Sequence, residues 1–163
     1  MYAGKAYSFT SPLFNAWLRT HPGQSDTVVS TMHSCILALV LNPAIQARAH
    51  MDLDALLGPV TSPTFRLPTF ADRKDLPYID AILTESLRWL TAVPVTLPHA
   101  TIEDDIYRGW LIPKGTVVLA NAWVMLHDEE VYPDPFVFQP ERYLGPNPQP
   151  HPGSRGCFGF GRR

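Results

Sequence analysis

The chain has 163 residues and a net formal charge of −2, with 45% hydrophobic and 17% charged residues. This composition is typical of one globular domain with a core and excludes a disordered chain. The near-neutral charge provides no basic field, so neither nucleic acid nor an anionic lipid surface is indicated as a partner.

Two helices are predicted in the first third of the chain, after a poorly anchored arm at residues 1–23. The first helix begins at Ser25 or Asp26, because either side chain can cap free backbone N–H groups. Its apolar positions recur at helical spacing: Val28, Met32, Ile36, Leu39 and Val40. The Asn-Pro pair at 42–43 ends this helix and starts the second, with the asparagine as its cap. The second helix then runs to a stop at Gly58.

A proline-rich linker separates these helices from a third one. Within it, Thr69 and Asp72 have the offset of a short, capped helical turn. The third helix is predicted over LPYIDAILTESLRWL, where Ile79, Leu83 and Leu87 repeat every four residues along one face.

Beyond residue 90 the helical period is lost. Residues 104–123 alternate in polarity and contain Arg-Gly at 108–109 and Lys-Gly at 114–115, which predicts a small β-ribbon. Residues 131–153 are rich in proline and are predicted to wrap a surface as irregular coil. Helices followed by a little sheet and coil indicate a mainly α chain with a small β portion, an α+β pattern.

Three charged residues are candidates for one cluster. Glu85 and Arg88 lie three positions apart on the third helix and so share a face. Such a pair alone usually lies on the solvent-exposed face of a helix. Because Arg142 follows the long coil within PERY, the three residues would form a charge cluster that pins the coil to the helix.

The chain resembles the cytochrome P450 family in motifs that occur in the family's order. ESLR at 85–88 is similar to the ExxR motif of the K helix, and PERY at 140–143 to the arginine motif of the meander. GQSDTVVS at 23–30 is similar to the oxygen-activating stretch of the I helix. FGFGRR at 158–163 is similar to the start of the haem-binding loop. The resemblance covers residues 24–163 and is closest to microsomal P450s of fungi.

The resemblance implies a partial cytochrome P450 domain with the I, J and K helices, the β-ribbon, the meander and the start of the haem loop. It implies a haem-thiolate monooxygenase that inserts one oxygen atom of O₂ into an apolar small molecule. NADPH–cytochrome P450 reductase is the partner, and the endoplasmic reticulum membrane the location, that it implies. No membrane segment or signal peptide is visible in the sequence, so the cytoplasm is a second possible location.

The resemblance places the cysteine ligand of the haem iron two positions after Arg163. Cys157 precedes Phe158 and does not match that position, so we interpret it as an incidental thiol, and no metal ligand is assigned. Cys35 and Cys157 also form no disulfide framework or zinc-site pattern. We therefore expect a truncated chain that is inactive by itself.

The resemblance also assigns a proton relay to Asp26 and Thr27, which match an acid–threonine pair of the family. The alternative is that Asp26 is only a helix cap. Gln24 replaces the small residue that is usual in the family before this pair, which weighs against oxygen activation.

Contacts with haem are implied for four residues: His99, Phe158, Gly161 and Arg163. Of these, His99 and Arg163 match residues that bind haem propionates, the arginine through a charge-assisted hydrogen bond. A surface role for His99 stays open. Contacts with substrate are implied for Val93, Val95 and Leu97, although packing in the core is an equal alternative for all three.

Two further function classes stay open at this point. The first is a non-catalytic P450-derived fragment or pseudogene product that acts by binding. The second is a metal hydrolase using HDEE, residues His127, Asp128, Glu129 and Glu130. These residues lack the spacing of an HExxH helix, and the stretch is more typical of a solvated turn that starts a short helix.

Overall fold

The computed structural model describes residues 27–160, so the predicted arm at 1–23 lies outside the described part of the chain. The described helices are α1 (Thr27–Leu41), α2 (Pro43–Leu57), α3 (Pro77–Trp89) and α4 (Ala122–Leu126). Three 3₁₀ helices span Phe70–Asp75, Pro140–Tyr143 and Pro152–Arg155. The mainly α architecture with a small β portion is confirmed.

Four short strands form two separate antiparallel pairs within residues 27–160. They are β1 (His99–Ala100), β2 (Asp105–Tyr107), β3 (Trp110–Ile112) and β4 (Val117–Val118). β2 and β3 form a hairpin across the predicted turn at 108–109, and β1 pairs with β4. The ribbon prediction fails at its end, because residues 122–126 form the short helix α4 instead.

The corner between α1 and α2 differs from the predicted cap. Asn42 does not cap α2 with its side chain; its Nδ2 donates to the carbonyl of Ala38 at 2.8 Å and so closes the last turn of α1. Pro43 occupies the first turn of α2, where a missing N–H costs nothing. α2 ends at Gly58, whose φ of 81° favours glycine, as predicted.

Within residues 27–160, no single helix is both long and apolar enough to cross a membrane. α1 and α2 reach that length and composition only as a pair, which is bent by 106°.

The linker before α3 is fixed by the predicted capping box. The Asp72 carboxylate accepts hydrogen bonds from two guanidinium nitrogens of Arg66, at 2.7 and 2.8 Å. It also accepts from the backbone N–H and the hydroxyl of Thr69. The Arg66 contact, reinforced by Thr69, holds the pKa of Asp72 well below its usual range. The chain therefore enters α3 from an anchored turn.

The core lies where α1, α2 and α3 meet the coil before PERY. Its buried members are Ala38, Ala49, Tyr78, Ile82 and Phe138. The predicted apolar stripe of α3 is only partly in this core: Ile79 packs against it, whereas Leu83 is 49% exposed. The side of α3 that carries Leu83 therefore faces away from this core.

Candidate functional site

A buried ion cluster joins α3 to the coil. Glu85 and Arg88 are fully buried, and Arg142 is 6% exposed. The Glu85 carboxylate accepts two hydrogen bonds from Arg88, at 2.7 and 2.8 Å, and one from Nε of Arg142 at 3.1 Å. The structure thus brings the three charged residues of the two motifs into direct contact.

The remaining N–H groups of the two arginines donate hydrogen bonds to α4 and to the coil. Arg88 donates from Nη1 to the carbonyl of Leu126 at the end of α4, at 2.9 Å. The Nη groups of Arg142 donate to three backbone carbonyls and one side-chain amide oxygen, those of Pro133, Asp134, Val137 and Gln149. The coil has no neighbouring β-strand to pair its carbonyl groups. The guanidinium groups donate these hydrogen bonds instead.

Two further donors complete the shell of Glu85, and the motif analysis did not assign them. The Gln139 backbone N–H donates to Oε1 at 3.0 Å, and the Tyr143 hydroxyl donates to Oε2 at 3.1 Å. Burial, together with the negative charge of Glu85, raises the pKa of Tyr143 well above its usual range. The tyrosine of PERY is therefore a permanent donor to the cluster.

A cavity of about 740 Å³ lies on the other side of α3. Its walls come from α1, from α3, from the segment 91–99 and from the loop 156–160. Val28, Met32 and Ile36, the apolar stripe of α1, line this cavity, as do Leu83 and Leu87 of α3. Helical periodicity identified the apolar faces, but it did not distinguish a cavity wall from the core.

The structure brings five of the predicted site residues into the wall of this cavity: Thr27, Val93, Leu97, His99 and Phe158. Val95 is not among the lining residues and remains a prediction. Three predicted site residues, Asp26, Gly161 and Arg163, lie outside the described residues, as does Gln24. Thr31 and Cys35 also line the cavity; their signal in the sequence was the four-residue spacing from Thr27.

Gly156 and the ring of Phe160 lie close together within the loop 156–160. Gly156 has a φ of 90°, and a Cβ at this position would lie 2.6 Å from Cζ of Phe160. Only glycine therefore allows the Phe160 ring to fold back over the loop. Cys157 lies between them in the cavity wall, and burial raises the pKa of its thiol to about 11. At neutral pH this sulfur is a protonated thiol, so it would have to release a proton to bind a metal.

Three polar side chains of the cavity wall are hydrogen-bonded to the backbone. The Thr31 hydroxyl donates to the Thr27 carbonyl at 2.8 Å. The Thr96 hydroxyl pairs with the backbone of Ala120. His99 uses Nδ1 against the carbonyl of Leu97 at 2.8 Å, which leaves Nε2 as the ring nitrogen that can meet a ligand.

His127 is buried, unlike the rest of HDEE. Its ring stacks on Trp123 at 3.6 Å between centroids, and Nδ1 donates to the Trp123 carbonyl. Burial, with the nearby charge of Arg88, lowers the pKa of His127 to about 4. Its Nε2 has no hydrogen-bond partner among the described residues.

The predicted helix start at HDEE is wrong, because the turn follows α4 instead of preceding a helix. Residues 128–130 are exposed on that turn, whereas the histidine points into the protein. Residues 27–160 contain no group of three or more His, Cys, Asp or Glu side chains placed to hold a metal ion.

Comparisons with known proteins agree with these motifs. The family model for cytochrome P450 matches residues 23–163. Cytochrome P450 monooxygenase 105 of Postia placenta is 47% identical over 141 residues, which are 86% of this chain and 26% of that protein. Cytochrome P450 monooxygenase claT of Ampulloclitocybe clavipes is 43% identical over 153 residues, covering 90% of this chain and 30% of that protein.

Among solved structures, a zebrafish cytochrome P450 with abiraterone matches with a TM-score of 0.63 and 37% sequence identity. The match covers 72% of this chain and 28% of the zebrafish chain. The chain thus spans between a quarter and a third of the length of these relatives.

Replacing Glu85 with glutamine is expected to lower the free energy of unfolding by about 3–5 kcal/mol, because two buried arginines lose their counter-charge. Urea denaturation measures this loss. Asp80→Asn is the matched control, since the Asp80 carboxylate pairs with Arg73 at 2.8 Å in a solvent-accessible position, and a change of about 0–1 kcal/mol is expected there. Equal losses in the two variants would contradict the dominant role of the buried cluster.

His127 is expected to make stability depend on pH. Its pKa is lowered from 6.5 to about 4 in the folded protein, so between these values the unfolded chain binds a proton that the folded chain excludes. The free energy of unfolding therefore falls as the pH drops through this window, by on the order of 2–3 kcal/mol.

The His127→Phe variant keeps an aromatic ring against Trp123 and removes the titrating group. We expect urea denaturation between pH 7 and pH 4 to show a smaller loss of stability for this variant than for the wild type. His50→Gln, at an exposed position of α2, is the control and should retain the wild-type pH dependence. An unchanged pH dependence in His127→Phe would show that another group is responsible.

Proposed function

The chain belongs to the cytochrome P450 family, and we propose that it forms the haem-facing part of a haem-thiolate monooxygenase. One observation carries the proposal. The I-helix-like, K-helix-like and haem-loop segments, far apart in sequence, contribute to one cavity of about 740 Å³. That volume is within the range of about 300–1,000 Å³ that is usual for small-molecule and cofactor sites.

The residues present fit a flat, largely apolar macrocycle that carries carboxylates. Leu83, Leu87 and Phe158 supply apolar walls, and Phe158 is 69% exposed, so a ligand there would bury apolar surface. His99 supplies a ring nitrogen that can meet a carboxylate. The family implies haem as the cofactor, and this donor set is compatible with it.

We propose that His99 and Phe158 hold haem, together with Gly161 and Arg163, which lie outside the described residues. When bound, haem supplies the chemistry for inserting one oxygen atom of O₂ into an apolar substrate. Thr27 lies in the cavity wall and is our candidate, with Asp26, for delivering protons. The hydroxyl of the neighbouring Thr31 instead donates to the Thr27 carbonyl.

The segment 91–97 is our candidate for contact with substrate. Ala92, Val93 and Leu97 line the cavity and present no charge, which favours an apolar small molecule. The family implies a small-molecule substrate and a redox partner in general. By resemblance to the fungal members, we propose NADPH–cytochrome P450 reductase as that partner and the endoplasmic reticulum membrane as the location.

Cys157 is not our candidate for the thiolate ligand, although it lines the cavity. With its pKa raised to about 11 by burial, the sulfur is protonated at neutral pH. A sulfur ligand to iron must be deprotonated, so forming that bond here would carry an added free-energy cost.

The proposal is tested by titrating iron protoporphyrin IX into the purified chain and following its visible absorbance. We expect saturable binding of one equivalent. Leu83→Trp places a bulky ring in the apolar wall assigned to the macrocycle and is expected to weaken binding about tenfold, which corresponds to about 1.4 kcal/mol.

Val124→Trp is the matched control for this experiment. Val124 is 58% exposed on α4 and is not among the residues lining the cavity, so this variant should bind like the wild type. The absence of saturable binding, or equal weakening in both variants, would overturn the assignment of the cavity to haem.

A further inference from the structure

We propose that Thr91 determines substrate specificity: its hydroxyl selects an apolar molecule that carries a hydroxyl or carbonyl oxygen over a plain hydrocarbon. The inference rests on the proposed monooxygenase function, because it names the class of substrate that the same cavity takes. It assigns the recognition to one hydrogen bond with one side chain.

The hydroxyl of Thr91 is free to meet a ligand. Thr91 lines the cavity, is half-buried and lies two positions beyond the end of α3 at Trp89. Within a helix, a threonine or serine hydroxyl can bond to the carbonyl four residues before it, as those of Thr84 and Ser86 do at 2.8 Å. Thr91 lies outside the helix and does not make this bond. Its side chain has no hydrogen-bond partner within residues 27–160.

Two other threonines of the cavity wall use their hydroxyl protons within the fold. Thr31 donates to the carbonyl of Thr27 at 2.8 Å. Thr96 donates to the carbonyl of Ala120 and accepts from the N–H of the same residue, both at 3.2 Å. Thr91, by contrast, keeps both a proton and lone pairs for a ligand.

The backbone on both sides of Thr91 is anchored. On the N-terminal side, the carbonyl of Leu90 lies 3.5 Å from the hydroxyl of the buried Ser34 on α1. On the C-terminal side, the carbonyl of Pro94 accepts a hydrogen bond from the N–H of Trp123 at 2.9 Å. The hydroxyl of Thr91 is therefore presented from a defined position, as recognition of a polar group requires.

The neighbouring wall makes this hydroxyl selective. Ile36, Ala92 and Val93 line the same cavity and offer no polar side chain. A ligand that covers Thr91 removes water from the hydroxyl, and a hydrocarbon leaves it unpaired at a cost in free energy. A ligand with a hydroxyl or carbonyl oxygen replaces the lost hydrogen bond. A site that pairs a polar group in this way discriminates against the analogue that lacks it.

Cys35 is the other polar side chain on this part of α1, one residue after Ser34, and it also lines the cavity. It packs partly against the core, and a thiol is only a weak hydrogen-bond donor. The hydroxyl of Thr91 is therefore the stronger group for recognising an oxygen atom.

The test compares two compounds of similar shape, 2-naphthol and 2-methylnaphthalene, by equilibrium dialysis against the full 163-residue chain. Thr91→Val removes the hydroxyl and keeps the shape of the side chain. We expect this variant to bind 2-naphthol about two- to tenfold more weakly than the wild type, the effect of one net hydrogen bond. Its affinity for 2-methylnaphthalene should be unchanged or higher, because no polar group is left unpaired.

Two control variants identify the hydroxyl as the cause. Thr91→Ser keeps a hydroxyl and should bind 2-naphthol more tightly than Thr91→Val does. Thr61→Val removes a hydroxyl from an exposed position of the linker that does not line the cavity, and it should bind both compounds like the wild type. Each compound is compared between proteins, so its own hydration cancels.

The outcomes separate this inference from the proposed function. Equal weakening of both compounds in Thr91→Val, or unchanged binding of 2-naphthol, overturns the role of Thr91 and leaves the haem cavity standing. Failure of both compounds to bind the wild type, while iron protoporphyrin IX binds, also overturns this inference alone. Failure of the porphyrin as well overturns both.

Discussion

The buried carboxylate of Glu85 is the interaction on which the rest of the structure depends. It accepts hydrogen bonds from both guanidinium groups, from the Gln139 backbone and from the Tyr143 hydroxyl. Burying the Glu85 carboxylate without a counter-charge would destabilise the folded state. Burying either arginine without the carboxylate would do the same. Together they offset one another and leave guanidinium donors that order a coil with no sheet or helix of its own.

This cluster also determines where the cavity can form. α3 has one side occupied by Glu85 and Arg88, and its other side presents Leu83 and Leu87 to the cavity. The ordered coil ends in the 3₁₀ helix Pro152–Arg155, which contacts both α3 and α4. The glycine loop that follows therefore starts from a fixed point and closes the cavity against α1.

Much of this arrangement could be predicted from the sequence, and the misses have physical reasons. The end of α2 at Gly58 and the capping box at Thr69 depend on residues that are neighbours in sequence. Local sequence patterns therefore predict both. Asn42 could serve either of two helices, and sequence does not decide that competition. Leu83 shows that periodicity identifies an apolar face but not what covers it. His127 looked solvated among acidic neighbours, although the short helix before it turns the ring inward.

The central claim is that the apolar side of α3, the segment 91–99 and the loop 156–160 form one cofactor site. Hydrogen–deuterium exchange with and without iron protoporphyrin IX tests it most directly. We predict slower exchange in both segments when the porphyrin is present, with the β2–β3 hairpin unchanged because none of its residues lines the cavity. Unchanged exchange in both segments, or protection only at the hairpin, would contradict the account.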